Sequence, residues 1–129
     1  MAWEGPVIKV PNLKAGESLA TYQYCFVTLS AAGTVTHCSG ITIRPIGILQ
    51  NNPASGEEAE VVCFGITKVK ANEILAVGDS ICVGAVSSPL GQANKAGVGA
   101  ATPNLGTVLL GGAAHSTITV TVNCLNQER

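Results

Sequence analysis

The chain has 129 residues, 47% hydrophobic and only 12% charged, with seven basic and eight acidic side chains giving a net charge of −1. That length suits one domain with one core, and the apolar content excludes a chain disordered throughout. Charge at half the ~25% usual for soluble domains, with no basic stripe, excludes an ordinary nucleic-acid binder and suits a protein packed against others.

The first 18 residues, "MAWEGPVIKVPNLKAGES", hold Gly5, Pro6, Pro11 and Gly16. Prolines donate no backbone hydrogen bond and favour an extended path. Residues 1–18 therefore read as an extended N-terminal arm with Trp3 near its tip, followed by a β-rich domain over 19–125 and a tail over 126–129. The opening decapeptide has no apolar run ending in a small-residue cleavage site, so no signal peptide is expected. "LATYQYCFVTLSAAGTVTHCSG" is rich in aromatic and β-branched residues around Ala31-Ala32-Gly33, the pattern of a hairpin. "ITIRPIGILQ" reads as a third strand disturbed by Pro45, which suggests an edge or a bulge. The turn-rich "NNPASGEE" leads to a strand, "AEVVCFGITKV". "KANEILAVGD" reads as a helical turn or a loop, and "SICVGAV" as a strand.

The small-residue segment "SSPLGQANKAGVGAATPNLG" leaves room for one short helix from about Gln92. "TVLLGG" and "STITVTVNCL" close the domain. In the last strand Ile118, Val120, Val122 and Cys124 alternate with Thr117, Thr119, Thr121 and Asn123, so one face belongs to a core and the other is polar but uncharged. Many short strands with Gly, Pro and Asn breaks give an all-β class, a small single-domain barrel or sandwich. From Ala96 to Gln127 there is no Lys, Arg, Asp or Glu. Glycines, Pro103 and threonines interrupt that span, so no transmembrane helix is expected.

The five cysteines, Cys25, Cys38, Cys63, Cys82 and Cys124, are odd in number and form no CxxC pair, so buried thiols are expected rather than a disulfide framework. His37 and His115 are the only histidines. Neither stands in a nucleophile motif, and His37 and Cys38, adjacent in a strand, point to opposite faces and make a poor metal pair. Glu57, Glu58 and Glu60 read as a charged turn beside a strand, and the Gly97–Gly99 pair lacks a dinucleotide fingerprint. Lys68, Lys70, Glu73 and Asp79 cluster in "GITKVKANEILAVGDSICVG". A catalytic lysine needs burial or a neighbouring cation, and nothing here supplies either, so these charges read as a solvated rim. No catalytic, cofactor-binding or metal-binding residue is expected, and the chain is not expected to be an enzyme. A small β-barrel enzyme using Lys70 or His37 is the contrasting class.

"GILQNNPASGEEAEVVCFGITKVKANEILAVGDSICVG" resembles the capsid cement (head decoration) proteins of tailed bacteriophages. The pattern runs through Gly47-Ile48-Leu49, a loop with Asn52, Pro53 and Gly56, a strand around Val61, then Gly65-Ile66, Val69-Lys70-Ala71 and Gly78-Asp79. A Gly- and Ala-rich segment, a turn around Gly106 and an alternating last strand follow. The resemblance spans about Ala20 to Cys124 and does not account for the cysteines. It implies a structural protein made in the host cytoplasm and carried on the capsid exterior of the virion. It also implies the major capsid protein and the chain itself as partners, a trimer favoured over a dimer, with no cofactor, nucleic acid or membrane. A tail or fibre subunit is the alternative. The contact residues are expected in the arm: Trp3, Pro6, Val7, Ile8, Val10 and Pro11, with Trp3 foremost because exposed tryptophans are enriched at interface hot spots.

Overall fold

The computed structural model describes residues 2–38, 44–83, 91–96 and 104–124. The fold is all-β, with ten strands and no helix among the described residues. In chain order the strands are β1 (Val7–Val10), β2 (Lys14–Ala15), β3 (Phe26–Ala31), β4 (Thr34–His37), β5 (Gly47–Leu49), β6 (Val61–Lys70), β7 (Ser80–Val83), β8 (Ala93–Lys95), β9 (Gly106–Leu110) and β10 (Thr117–Asn123). They form one sheet in the order β2-β4-β3-β5-β6-β10-β9-β7-β8, with β1 joined to β6 off that path. The path does not close on itself, so the sheet is not a barrel.

β6 is the hub. Val61 and Val62 are registered with Val10 and Lys9 of β1 and also with Leu49 and Ile48 of β5. Phe64 and Gly65 are registered with Ile8 and Val7 of β1 and also with Asn123 and Val122 of β10. A strand has two hydrogen-bonding edges, so β1 runs along one edge of β6 while β5 and β10 share the other. A register shift between Ile8 and Lys9 marks a bulge. Beyond it Val69 points inward, while Phe64, Ile66, Lys68 and Lys70 share the outer face.

Adjacent residues of the central strands feed two different cores. Phe26, Ile48 and Val62 join the larger cluster with Val69, Leu75, Ile81, Val108, Ile118 and Val120. Val27, Leu49 and Val61 join a second cluster with Leu13, Ala15, Leu19 and Val35. Successive strand residues point to opposite faces. The sheet is therefore covered on both sides at β3, β5 and β6, which is why these strands read as unbroken apolar runs in the sequence.

The hairpin at Ala31–Gly33 forms as expected, between β3 and β4. Pro45 does not mark an edge. β5 begins two residues after it and lies between β3 and β6. Nor does a helix start at Gln92, because the next three residues are β8, paired antiparallel with β7. Residues 97–103, where that helix would continue, and the tail at 126–129 lie outside the described residues. In "KANEILAVGD" Lys70 ends β6 and residues 71–79 form the loop to β7. The last strand alternates as expected, with Ile118, Val120 and Val122 buried.

Candidate functional site

The N-terminal segment lies against its own domain. Gly5 N–H donates to the Ile66 carbonyl and Ile66 N–H to the Pro6 carbonyl, both at 3.0 Å. Trp3 N–H donates to Thr119 Oγ1 (2.7 Å), whose hydroxyl donates back to the Trp3 carbonyl (3.1 Å). Thr119, on the uncharged face of β10, is fully buried. The Cys63 thiol donates to the Ile8 carbonyl at 3.4 Å. This approach depends on Gly65, whose φ of 130° is open to glycine and disfavoured for other residues. A Cβ there would overlap the Pro6 carbonyl oxygen and sit 2.7 Å from the Val7 Cα.

Docking leaves much of the segment's apolar surface in water. Trp3 is 47% exposed and Ile8 53%, and Pro6, Val7 and Pro11 are also exposed. Val10 behaves differently, packing partly buried against the second core. Ile8 is registered with Phe64 across the β1–β6 pair, and Phe64 is itself 42% exposed. Beside them Pro6, Phe64, Gly65, Ile66, Thr121 and Val122 line a shallow apolar groove of about 400 Å³. Val7 turns the other way, toward a more polar pocket of about 290 Å³ with Lys9, Tyr24, Gln50, Glu60 and Thr67. There Thr67 donates to Gln50 Oε1 (2.9 Å) and Lys9 meets Glu60 at 3.5 Å.

Five of the six residues expected at a contact are thus exposed, Val7 toward the polar pocket and away from Ile8, and Val10 packs against the core. Phe64 was not singled out in the sequence, and Ile66 stood only in the family-like pattern and not among the expected contacts. Their exposure follows from the bulge, which shifts the phase of β6 partway along a run that is otherwise apolar on both sides.

The charged and nucleophilic groups assemble no reactive constellation among the described residues. Asp79 Oδ2 accepts from the Ala76 amide (2.9 Å) and Oδ1 meets Lys95 at 3.4 Å. The Ala76 amide outweighs burial and, with Lys95, holds the Asp79 pKa below its ordinary value. Glu73 accepts from the Lys95 amide at 2.7 Å. Lys68 lies 5.7 Å from the centre of the Tyr24 ring. His37 is held by Glu17, whose Oε2 accepts from the His37 amide (2.9 Å) and meets its Nδ1 (2.5 Å), and its ring stacks on Tyr22 at 4.8 Å. Burial acts to raise the Glu17 pKa, but the two His37 hydrogen bonds and the His37 charge bring it below the usual value. His115 Nδ1 lies 3.3 Å from Gln92 Oε1. All five cysteines are buried thiols. Burial pushes Cys25 up to about 11 against the opposing pull of Lys70, and Cys124 up to about 12 with help from Cys63 and Cys38. No group of three His, Cys, Asp or Glu side chains among the described residues is placed to hold a metal ion.

No family model matches the sequence, and no curated protein matches it. Among solved structures, the chain is similar to the crystal structure of the head fiber gp8.5 N base in bacteriophage phi29, with a TM-score of 0.65 and 16% identity. The match covers 96% of this chain and all of the other. At that identity the likeness is one of fold alone.

Proposed function

We propose that this chain is a non-enzymatic structural subunit of a phage virion, attached to the outside of the head. The observation that carries the reading is the end-to-end fold match with the head fiber N base. The fold alone does not dictate a function, and the exposed flank supplies the physical means. Val7 and Ile8 stand out on a short strand flanked by Pro6 and Pro11, which limit further strand pairing at that edge, and Trp3 stands out ahead of that strand. Burying the exposed part of such side chains on a shell yields about 1 kcal/mol each. Many copies binding the assembled lattice and not its separated subunits would stabilise the lattice by mass action. The partner in this reading is the major capsid protein. A cement protein at every lattice position and a fibre base at a subset of positions both fit it, and occupancy on the particle separates them.

The test is co-sedimentation of purified chain with heads prepared without it. Saturable binding at a fixed ratio is expected. Trp3→Ala should weaken it by about thirtyfold, as for a hot-spot tryptophan worth about 2 kcal/mol, and Ile8→Glu by at least as much. Heads that bind none of the chain would exclude the reading. Equal binding by wild type and both variants would exclude this flank as the contact.

A further inference from the structure

The loop joining β6 to β7 is held firmly in a shape that displays apolar side chains. Leu75 is its buried anchor, exchanging two backbone hydrogen bonds with Gly112 at 3.0 and 3.1 Å. Gly111 allows this approach, because a Cβ there would overlap the Leu75 carbonyl oxygen. Asp79 closes the turn through the Ala76 amide, Val108 N–H donates to the Asp79 carbonyl and Gly78 N–H to the Val108 carbonyl, both at 2.9 Å. Glu73 ties the loop to β8 through the Lys95 amide. On either side of the anchor, Ile74 is 77% and Val77 69% exposed, the two most exposed large apolar residues described. A loop fixed by this many bonds has already lost the entropy that docking would otherwise remove.

The apolar groove lies at the other end of the same strands. It takes in Gly106 at the start of β9 and Thr121 to Asn123 at the end of β10, whereas the loop meets Gly112, just past β9. The two features also differ in charge. Around the loop stand Glu73, Asp79 and Lys95, formally −1 together (two acidic, one basic). On the outer face of β6, past the groove residues Phe64 and Ile66, come Lys68 and Lys70.

We propose that Ile74 and Val77 of one copy seat in the Pro6–Phe64–Ile66–Thr121 groove of a second copy, with Glu73 and Asp79 brought toward that copy's Lys68 and Lys70. The contact is head-to-tail. Groove, Lys68, Lys70 and loop follow one another along β6, so two copies related by a two-fold axis would set lysines against lysines at the centre, and like charges there repel. A head-to-tail contact sets opposite charges together and, repeated, closes a ring or extends a filament. It holds whether or not the chain sits on a phage head.

Sedimentation velocity of the full chain tests this. Wild type should associate with rising concentration, and the affinity should fall as salt is added. Val77→Glu and Phe64→Glu, both at exposed positions, should keep the wild-type circular dichroism spectrum and each lower the association constant about tenfold or more. Mixed one to one, the Val77→Glu chain offers an intact groove and the Phe64→Glu chain an intact loop, so the mixture should form dimers and stop there. A wild-type chain still monomeric at about 1 mM, a variant that associates like wild type, or a mixture that stays monomeric or grows past dimers would each overturn the proposal. Head binding is measured separately. Chains that remain monomeric yet bind heads would overturn this contact alone, and chains that associate yet never bind heads would overturn only the proposed attachment.

Discussion

Gly65→Ala separates the N-terminal segment from the rest of the fold. At φ 130° an alanine carries backbone strain of about 1–3 kcal/mol, and its Cβ meets the Pro6 carbonyl and the Val7 Cα at 2.7 Å. Against this stands the segment's own docking. The two Gly5–Ile66–Pro6 backbone bonds and the two Trp3–Thr119 bonds contribute about 0.5–1.5 kcal/mol each. The strain cancels the contribution of about two of these four bonds, so the segment should leave β6 before β5 or β10 does. Amide hydrogen exchange reads this directly. The Ile66 amide, which donates to Pro6, should lose about tenfold to a hundredfold of its protection, while amides shared by β6 and β10 stay protected. Urea unfolding should show about 1–3 kcal/mol less stability and a smaller m-value, because less surface remains to be exposed. Native protection at Ile66 in the Gly65→Ala chain would refute the argument that glycine at this position makes the docking possible.

Acid should loosen the Glu17–His37 clasp. Glu17 has a folded pKa below its ordinary 4.5, so its stabilising contribution is complete above that value and is lost as pH falls through the lower folded pKa. Glu17→Gln should therefore flatten the acid limb of a plot of urea midpoint against pH, and an unchanged limb would count against the clasp. The buried thiols should resist alkylation at pH 8, because Cys25 and Cys124 are pushed up to about 11 and 12 and little thiolate forms. Mass spectrometry should find five modified cysteines only after unfolding in denaturant; rapid native labelling of Cys25 or Cys124 would contradict their burial. Trp3 is the only tryptophan, so its emission should shift to shorter wavelength and lose quenching by iodide when the flank is covered by heads.

Periodicity made β10 legible, because its inner and outer residues differ in kind. The β3–β4 hairpin was legible through Ala32-Gly33 between two β-branched runs. β5 was misread because Pro45 falls just before the strand, where the chain still needs no ladder hydrogen bond, and not within it. The room left for a short helix from about Gln92 rested on small residues, which are equally at home in a short strand such as β8 when a neighbouring strand supplies the pairing. The exposed N-terminal flank was half legible. Trp3, Pro6, Val7 and Ile8 were marked by prolines and by apolar residues outside the main pattern. Their partners Phe64 and Ile66 were hidden, because only the β1–β6 bulge decides which side of the sheet each residue of that run faces. The exposed Ile74 and Val77 were hidden for another reason. In "NEILAVGD" nothing local separates the anchor Leu75 from its neighbours; the difference is made by Gly111 and Gly112, far along the chain.

The central claim is that the chain rides on a phage head through its N-terminal flank. Electron cryomicroscopy of heads saturated with the purified chain tests it most directly. The account predicts density of this fold at symmetric positions on the outer shell, with the edge bearing Trp3, Val7 and Ile8 turned toward the capsid protein. Heads without such density, or density with that edge facing solvent, would contradict it.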